Sequence, residues 1–389
     1  MPKIALARIY RVNSAKLHPI VLELETDDGL AGLGEAAVSF GVGGPATAEL
    51  IREMCQRFVI GRDSNCIEAI WNEIYDQSFW AKGGGPLVFG AISAIEVALW
   101  DLKGKRLGVP VYDLFGGPIR SEIDVYANGW NYDLLDPLSW AKAAERPLKD
   151  GYTAIKCYPL AVPAGGKGTL RHPTLKSLSA DLLKLGFERM RNLRDVVGKD
   201  VRIRVDLCGA VGLDDVIRFA KQIEPLDIDW LEEAGDPADI GSFAKIAEWT
   251  SIPLTAGERF YALAGFRDII ESRAISILQP DIGTSGGLME CKRIAAMGEV
   301  YGMKFAPHNC GGGILTAASL NICACTRNFM TLEVFPYLPE LEDNIEVTLP
   351  SPERQIKGGF LPISTEPGLG VQLNRAAMRP FLWAECNAA

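Results

Sequence analysis

The feature that most constrains this chain is a regular series of ionisable residues at the ends of short apolar runs. Asp206, Glu232, Glu258, Asp281, His308 and Glu333 follow one another at intervals of 26, 26, 23, 27 and 25 residues. Each interval has room for one strand, one helix and two short connections. The runs before them span 201–205, 228–231, 252–255, 274–278, 303–306 and 329–332. An earlier run, 152–156, ends at Lys156, with Tyr158 two positions on. Most of the intervening segments read as amphipathic helices. Strand–helix alternation of this length requires parallel strands, in a (β/α) barrel or a doubly wound sheet.

The run ends favour the barrel. Functional groups of a barrel gather at the C-terminal ends of its strands. A flat sheet would spread three consecutive strand ends over about 10 Å, whereas a closed one lets them converge. Alternation along a strand supports an inward direction. Asp206 is out of phase with Ile203 and Val205, His308 with Met303 and Phe305, and Glu333 with Met330 and Leu332. The apolar partners are expected to face the outer helices.

The N-terminal part has a different texture. Residues 20–26 read as a strand, and Asp27, Asp28 and Gly29 as a hairpin turn. A helix is expected from Ala91 to about Gly104, with Ala91, Ile95, Ala98, Leu99 and Leu102 on one face. Gly104, Gly108 and Pro110 read as its stop signals. The expected architecture is an α/β chain. It has an α+β capping domain (1–121), a modified TIM (β/α) barrel (122–345) and a C-terminal segment (346–389) returning to the cap.

Composition narrows the chemistry. The net charge of −9 argues against a nucleic-acid partner. The longest apolar stretch, 86–95, stops at Glu96, short of the roughly 20 residues that span a bilayer. No membrane partner and no secretory leader are expected. Nine scattered cysteines without a CxxC pair suggest a reduced, cytoplasmic chain. With only three histidines, His18, His172 and His308, a metal should be bound by oxygen.

Asp206, Glu232 and Glu258 would form a hard oxygen site suited to Mg²⁺. Three adjacent anions are unfavourable without a cation. The competing reading pairs such acids with basic barrel residues such as Arg204. Asp281 and His308 make a carboxylate–imidazole pair, in which the acid fixes the tautomer and raises the basicity of the free nitrogen. Glu333 could donate a hydrogen bond or proton across the site. Lys156 and Tyr158 share a strand face and would enter from the opposite side.

Residues 91–105, followed by Gly108, Val109, Pro110 and by Leu114, Phe115, Gly116, Gly117, resemble the cap signature of the enolase superfamily, mandelate racemase subgroup. Asp28-Gly29 through Gly34-Glu35, Trp230 to Glu233, Gly257-Glu258, Gln279 to Asp281 with Gly286-Gly287, Ala306 to His308 and Leu332-Glu333 fit the same subgroup in the same order. The resemblance covers nearly the whole chain. It implies Mg²⁺ on Asp206, Glu232 and Glu258, a His308–Asp281 dyad, and Glu333 near the substrate carboxylate. Periodicity alone does not choose between Glu232 and Glu233; the family pattern selects Glu232. The shared step it implies is removal of the proton α to a carboxylate, giving an enediolate. A homo-oligomer, from dimer to octamer, is also implied.

The departures from the family are informative. The racemizing and cycloisomerizing branches carry Lys-x-Lys on the second barrel strand, where this chain has Lys156, Cys157, Tyr158. The third strand often reads Asp-x-Asn; here it reads Asp206, Leu207, Cys208. The 50 positions between Lys156 and Asp206 exceed one β-α step. The segment 160–174 is rich in Gly and Pro and reads as a long loop over the mouth, of the kind that serves as a lid. This pattern resembles the acid-sugar dehydratases, so the expected reaction is Mg²⁺-dependent dehydration of a small-molecule sugar acid, an aldonate or aldarate, to a 2-keto-3-deoxy acid. The alternatives are an epimerase, racemase or cycloisomerase of a related acid, and a catalytically silent binding protein. Among the remaining residues, the glycine-rich segments 41–44 and 83–85 read as cap loops, not phosphate loops. Glu96 and Asp101 read as structural ion-pair partners, His18 as a solvated loop residue, and His172 as part of the lid. Most cysteines read as buried small apolar residues, with Cys208 bordering the site.

Overall fold

The computed structural model describes residues 2–12, 17–164, 170–173, 177–337, 340 and 345–387. Eight strands, all paired in parallel, follow one another around a ring: Glu122–Ala127, Ala154–Cys157, Arg202–Asp206, Ile228–Glu232, Leu254–Ala256, Ile277–Leu278, Lys304–Phe305 and Leu332–Val334. A parallel bridge between Phe305 and Phe329 joins the seventh strand to the approach of the eighth and closes the ring. The third strand thus lies across from the seventh, and the second across from the sixth. The first strand is absent from the runs read in the sequence. Its signal was the alternation of Ile123 and Val125 with Asp124, and it ends against Asn128.

Among the described residues, seven of the eight strands are followed by α-helices, including Ala180–Val197, Leu213–Ile223, Leu288–Val300 and Gly313–Cys325. The barrel interior holds a separate apolar cluster of Tyr126, Ala154, Trp230, Ile277 and Ala306, with Met330 packed against it. Met330 therefore faces inward, against the alternation argument. Its segment precedes the eighth strand, so the phase of that strand does not reach it. Ile203, Val205, Met303, Phe305 and Leu332 do join the outer core.

The long gap after Lys156 becomes a two-stranded hairpin, Val162–Pro163 with Leu170–Arg171, followed by the helix Ala180–Val197. Ser179 starts that helix by accepting from the Leu182 N–H. Of the expected loop 160–174, residues 165–169 and 174 lie outside the described residues.

The cap is an antiparallel sheet in the order Leu382–Asn387, Ile4–Arg11, Ile20–Thr26, Ala31–Ala36. The C-terminal strand thus completes the cap. Before reaching it, the tail adds Phe360–Pro362 antiparallel to the first barrel strand. Against the cap sheet lies the helix Gly85–Leu107, longer at its N-terminal end than the apolar face suggested. It is long and apolar enough to cross a membrane by length and composition, but 78% of its most apolar stretch is buried inside the fold. Its backbone lies almost on the strand: a Cβ at Gly34 would sit 1.9 Å from the Ala94 carbonyl oxygen. Gly104 does not stop the helix. It sits inside, where a Cβ would come within 2.8 Å of Gly368 Cα, and the left-handed Gly108 ends the helix.

Candidate active site

Each strand end delivers its side chain to the mouth of the ring. Asp206 and Glu232 are register partners on adjacent strands, and Glu258 lies two residues beyond the fifth strand. One carboxylate oxygen from each falls within 4.8 Å of the others. Burial raises the pKa of Asp206, opposed by Lys156 and reinforced by Glu258. Burial likewise pushes Glu232 up to about 7, against the pull of Lys156. A compact, buried, all-oxygen set in which two acids are strained by burial and by each other fits a hard divalent cation such as Mg²⁺.

Lys156 lies at the centre of this group. Its Nζ is 2.5 Å from Glu232 Oε1, 2.6 Å from Glu333 Oε1 and 3.4 Å from Asp206 Oδ2. Arg204, the expected competitor, is elsewhere. It pairs with Asp229 and stacks within the interior on Trp230 and Tyr126, with its guanidinium carbon 4.0 and 4.4 Å from the ring centroids. Glu232 also accepts from Gln279 Nε2 at 2.9 Å and Trp230 Nε1 at 3.2 Å. Its neighbour Glu233 turns away from the triad, with a left-handed φ of 47°. Glu233 accepts from the Gly257 N–H and lies 3.7 Å from Arg259 Nη1.

Across the ring, His308 Nδ1 is 2.6 Å from Asp281 Oδ2, while Asp281 Oδ1 accepts from the Gly283 N–H. A carboxylate partner only accepts, so Nδ1 carries the hydrogen and Nε2 faces the mouth. Nε2 is 3.1 Å from Glu258 Oε2 and 3.8 Å from Glu333 Oε2. Burial opposes the imidazolium, but Glu258, the Asp281 hydrogen bond and Glu333 together push His308 up to about 10.

Glu333 is an acceptor here, contrary to the expected donor role. It receives Lys156, the Asn128 amide at 2.8 Å and the Asn309 N–H at 3.2 Å. Burial raises its pKa, yet Lys156 and His308 outweigh this and hold it below the ordinary value. Asn128 went unnoticed in the sequence because its strand did. Its amide also donates to the Tyr158 hydroxyl at 2.7 Å, tying the first, second and eighth strands together. Tyr158 packs against Tyr132 and the His172 ring, with centroids 5.9 and 5.6 Å away. Burial holds its hydroxyl well above the ordinary tyrosine value.

Two buried carboxylates of the cap hold the loops behind the dyad. Glu96 accepts from the Leu288 and Met289 N–H groups, at the start of the helix after the sixth strand. Glu35 accepts from the Gly312 and Leu315 N–H groups, at the start of the helix after the seventh. Glu96 is thus a helix cap and not the expected ion-pair partner, whereas Asp101 does pair with Lys105 at 2.6 Å.

Comparison with known proteins agrees with this architecture. Residues 8–116 match the mandelate racemase / muconate lactonizing enzyme N-terminal domain, and residues 139–377 match the enolase C-terminal domain-like model. The chain belongs to the mandelate racemase / muconate lactonizing enzyme family. Among its relatives are the D-galactonate dehydratases of Ralstonia nicotianae and Variovorax paradoxus. The first is 30% identical over 377 residues, covering 95% of this chain and 93% of that protein. The second is 31% identical over 374 residues, covering 94% and 92%. A solved enolase superfamily member from Salmonella Typhimurium is 33% identical with a TM-score of 0.93, each chain covered completely. A structure from Mesorhizobium loti, provisionally assigned as a dehydratase, is 45% identical with a TM-score of 0.95, covering 99% of this chain and 100% of that one.

Proposed function

We propose that this member of the enolase superfamily is a Mg²⁺-dependent acid-sugar dehydratase, converting an aldonate or aldarate to a 2-keto-3-deoxy acid. The observation that carries the reading is the facing of two groups across one ring: an acidic triad from strands three to five, and the Asp281–His308 pair from strands six and seven. The dehydratase names of the relatives support it, as does Tyr158 at the position where racemizing branches carry a second lysine. Asp206, Glu232 and Glu258 would hold the ion. Bound there, Mg²⁺ stabilises the negative charge that develops on the substrate carboxylate when its α-proton leaves.

The chain's own groups perform the rest. Asp281 fixes the His308 ring with Nε2 toward the mouth, where it can move a proton to or from the substrate. Lys156 supplies a fixed positive charge between Glu232 and Glu333. Asn128 and Asn309 hold Glu333 in place as an acceptor beside the substrate. Tyr158 occupies the other side of the mouth. The reading carries a homo-oligomeric, cytoplasmic enzyme, checked by light scattering and cell fractionation.

The deciding experiment is a screen of acid sugars in D₂O with Mg²⁺. Dehydration should give a 2-keto-3-deoxy acid carrying solvent deuterium at C3. Epimerized acid with deuterium at C2 and no keto product, for the substrate that turns over fastest, would overturn the dehydratase reading.

A further inference from the structure

We propose that His172 is a catalytic residue of this site, taking the α-proton from the substrate face opposite His308. The inference rests on the proposed proton abstraction and adds a residue which that reading leaves unused. His172 directly follows the hairpin strand Leu170–Arg171. Its ring meets Tyr158 edge-on, with centroids 5.6 Å apart and planes at 75°. Its Nε2 is 3.8 Å from Cys208 Sγ. Cys208 follows the third strand in a left-handed turn, φ 52°, and its N–H donates to Asp206 Oδ1 at 2.8 Å. The imidazole thus stands beside the triad, at the ends of the second and third strands. Asp281 and His308 follow the sixth and seventh, across the ring.

Tyr158 is the other candidate for this face, but its hydroxyl is engaged. It accepts from the Asn128 amide at 2.7 Å, and its ring packs against Tyr132. Among the described residues, His172 Nδ1 has no hydrogen-bond partner, and Nε2 has only the thiol. Burial, then the Arg259 guanidinium, hold His172 below the ordinary histidine value. The ring is therefore neutral near pH 7, with a lone pair available to a proton.

The α C–H bond breaks, its proton passes to a ring nitrogen of His172, and its electron pair moves toward the carboxylate carbon. That pair then forms the α–β double bond as the β C–O bond breaks. The departing hydroxyl takes a proton from His308 and leaves as water. The resulting enol ketonises, losing its hydroxyl proton and gaining one from solvent at C3. His172 releases its proton to solvent and His308 regains one.

The test uses the full chain with Mg²⁺ and the acid-sugar panel in D₂O. His172→Asn and His172→Gln should each lose keto product and deuterium entry at C2 of recovered acid, by about 10²-fold or more. Mg²⁺ binding by calorimetry and the thermal unfolding curve should match wild type. His308→Asn should lose product but still exchange the C2 proton. Product and exchange within about threefold of wild type in either folded His172 variant, or a rise in KM alone, would overturn the proposal, since a general base is worth far more. Wild-type exchange at C2 without keto product would sink the dehydration reading alone, because exchange still reports on His172. Neither product nor exchange from any acid would sink both.

Discussion

The two sides of the barrel mouth are built differently. The side formed by strands three to seven carries Asp206, Glu232, Glu258, Asp281 and His308, one group per strand end at almost constant spacing. The dyad part of it is clamped from behind, where Glu35 and Glu96 of the cap start the helices after strands seven and six. The side formed by the first two strands and the inserted hairpin carries Asn128, Tyr132, Tyr158 and His172. These are one amide and three aromatic rings, with Tyr158 tilted against Tyr132 and edge-on to His172, and His172 comes from an insertion. The contrast separates two tasks. Charge that must be placed on a point is fixed by strand geometry, which tolerates little change. On the proposed reading, the groups that decide which reaction follows stand partly on connections, which can be rebuilt without disturbing the ring.

The comparison can be broken most severely at the triad. EDTA treatment should abolish turnover, and Glu258→Gln should lower kcat by roughly 10²–10³-fold, the scale of losing one electrostatic stabiliser. Full activity in either case would mean that the acidic side is structural. His308→Asn comes next, with an expected loss of product formation of about 10²–10⁴-fold. Wild-type turnover in that variant would leave the dyad without a role in proton transfer. On the aromatic side, Tyr158→Phe removes one neutral hydrogen-bonded hydroxyl. A loss of roughly 0.5–1.5 kcal/mol, about tenfold or less in kcat, is expected. A loss as large as that of His308→Asn would make Tyr158 a principal proton-transfer group and reverse the assignment of the two sides.

The smallest effect concerns the clamp. Burial, opposed by the N–H groups of Met289 and Leu288, pushes Glu96 up to about 8 from an ordinary 4.5. Between those values the folded chain keeps a proton that the unfolded chain has lost. This contribution to stability is full below 4.5 and is lost as the pH rises toward 8. Glu96→Gln is uncharged at every pH, so thermal unfolding of the wild type should fall more steeply than that of the variant over this range. Parallel curves would show that the cap does not hold the dyad side through this carboxylate.

Much of the ring was legible because its signal is local and repeated. The runs ending at Asp206, Glu232, Glu258, His308 and Glu333 each combine apolar alternation with one charged terminus. Glu122–Ala127 escaped because its end is an amide, which carries no charge to mark the period. Met330 was misplaced because alternation holds within a strand and not before one. Glu96 was misread because a carboxylate bonded to backbone N–H groups leaves no partner side chain in the sequence. Nothing in the run 152–156 distinguishes a lysine entering from the far side from one that bridges three acids.

The sequence by itself determined the strand–helix period and the order of the ionisable groups around the ring. These depend on covalent spacing and side-chain alternation, which are properties of the chain. Only the tertiary structure decided that Lys156 pairs with Glu232 and Glu333, that Arg204 is consumed by Asp229 and two aromatic rings, and that His172 reaches Tyr158 and Cys208. Those contacts join residues from 14 positions apart, for Tyr158 and His172, to 177, for Lys156 and Glu333. Their distances are set by closure of the ring and by the path of the inserted hairpin, and no local pattern encodes either one.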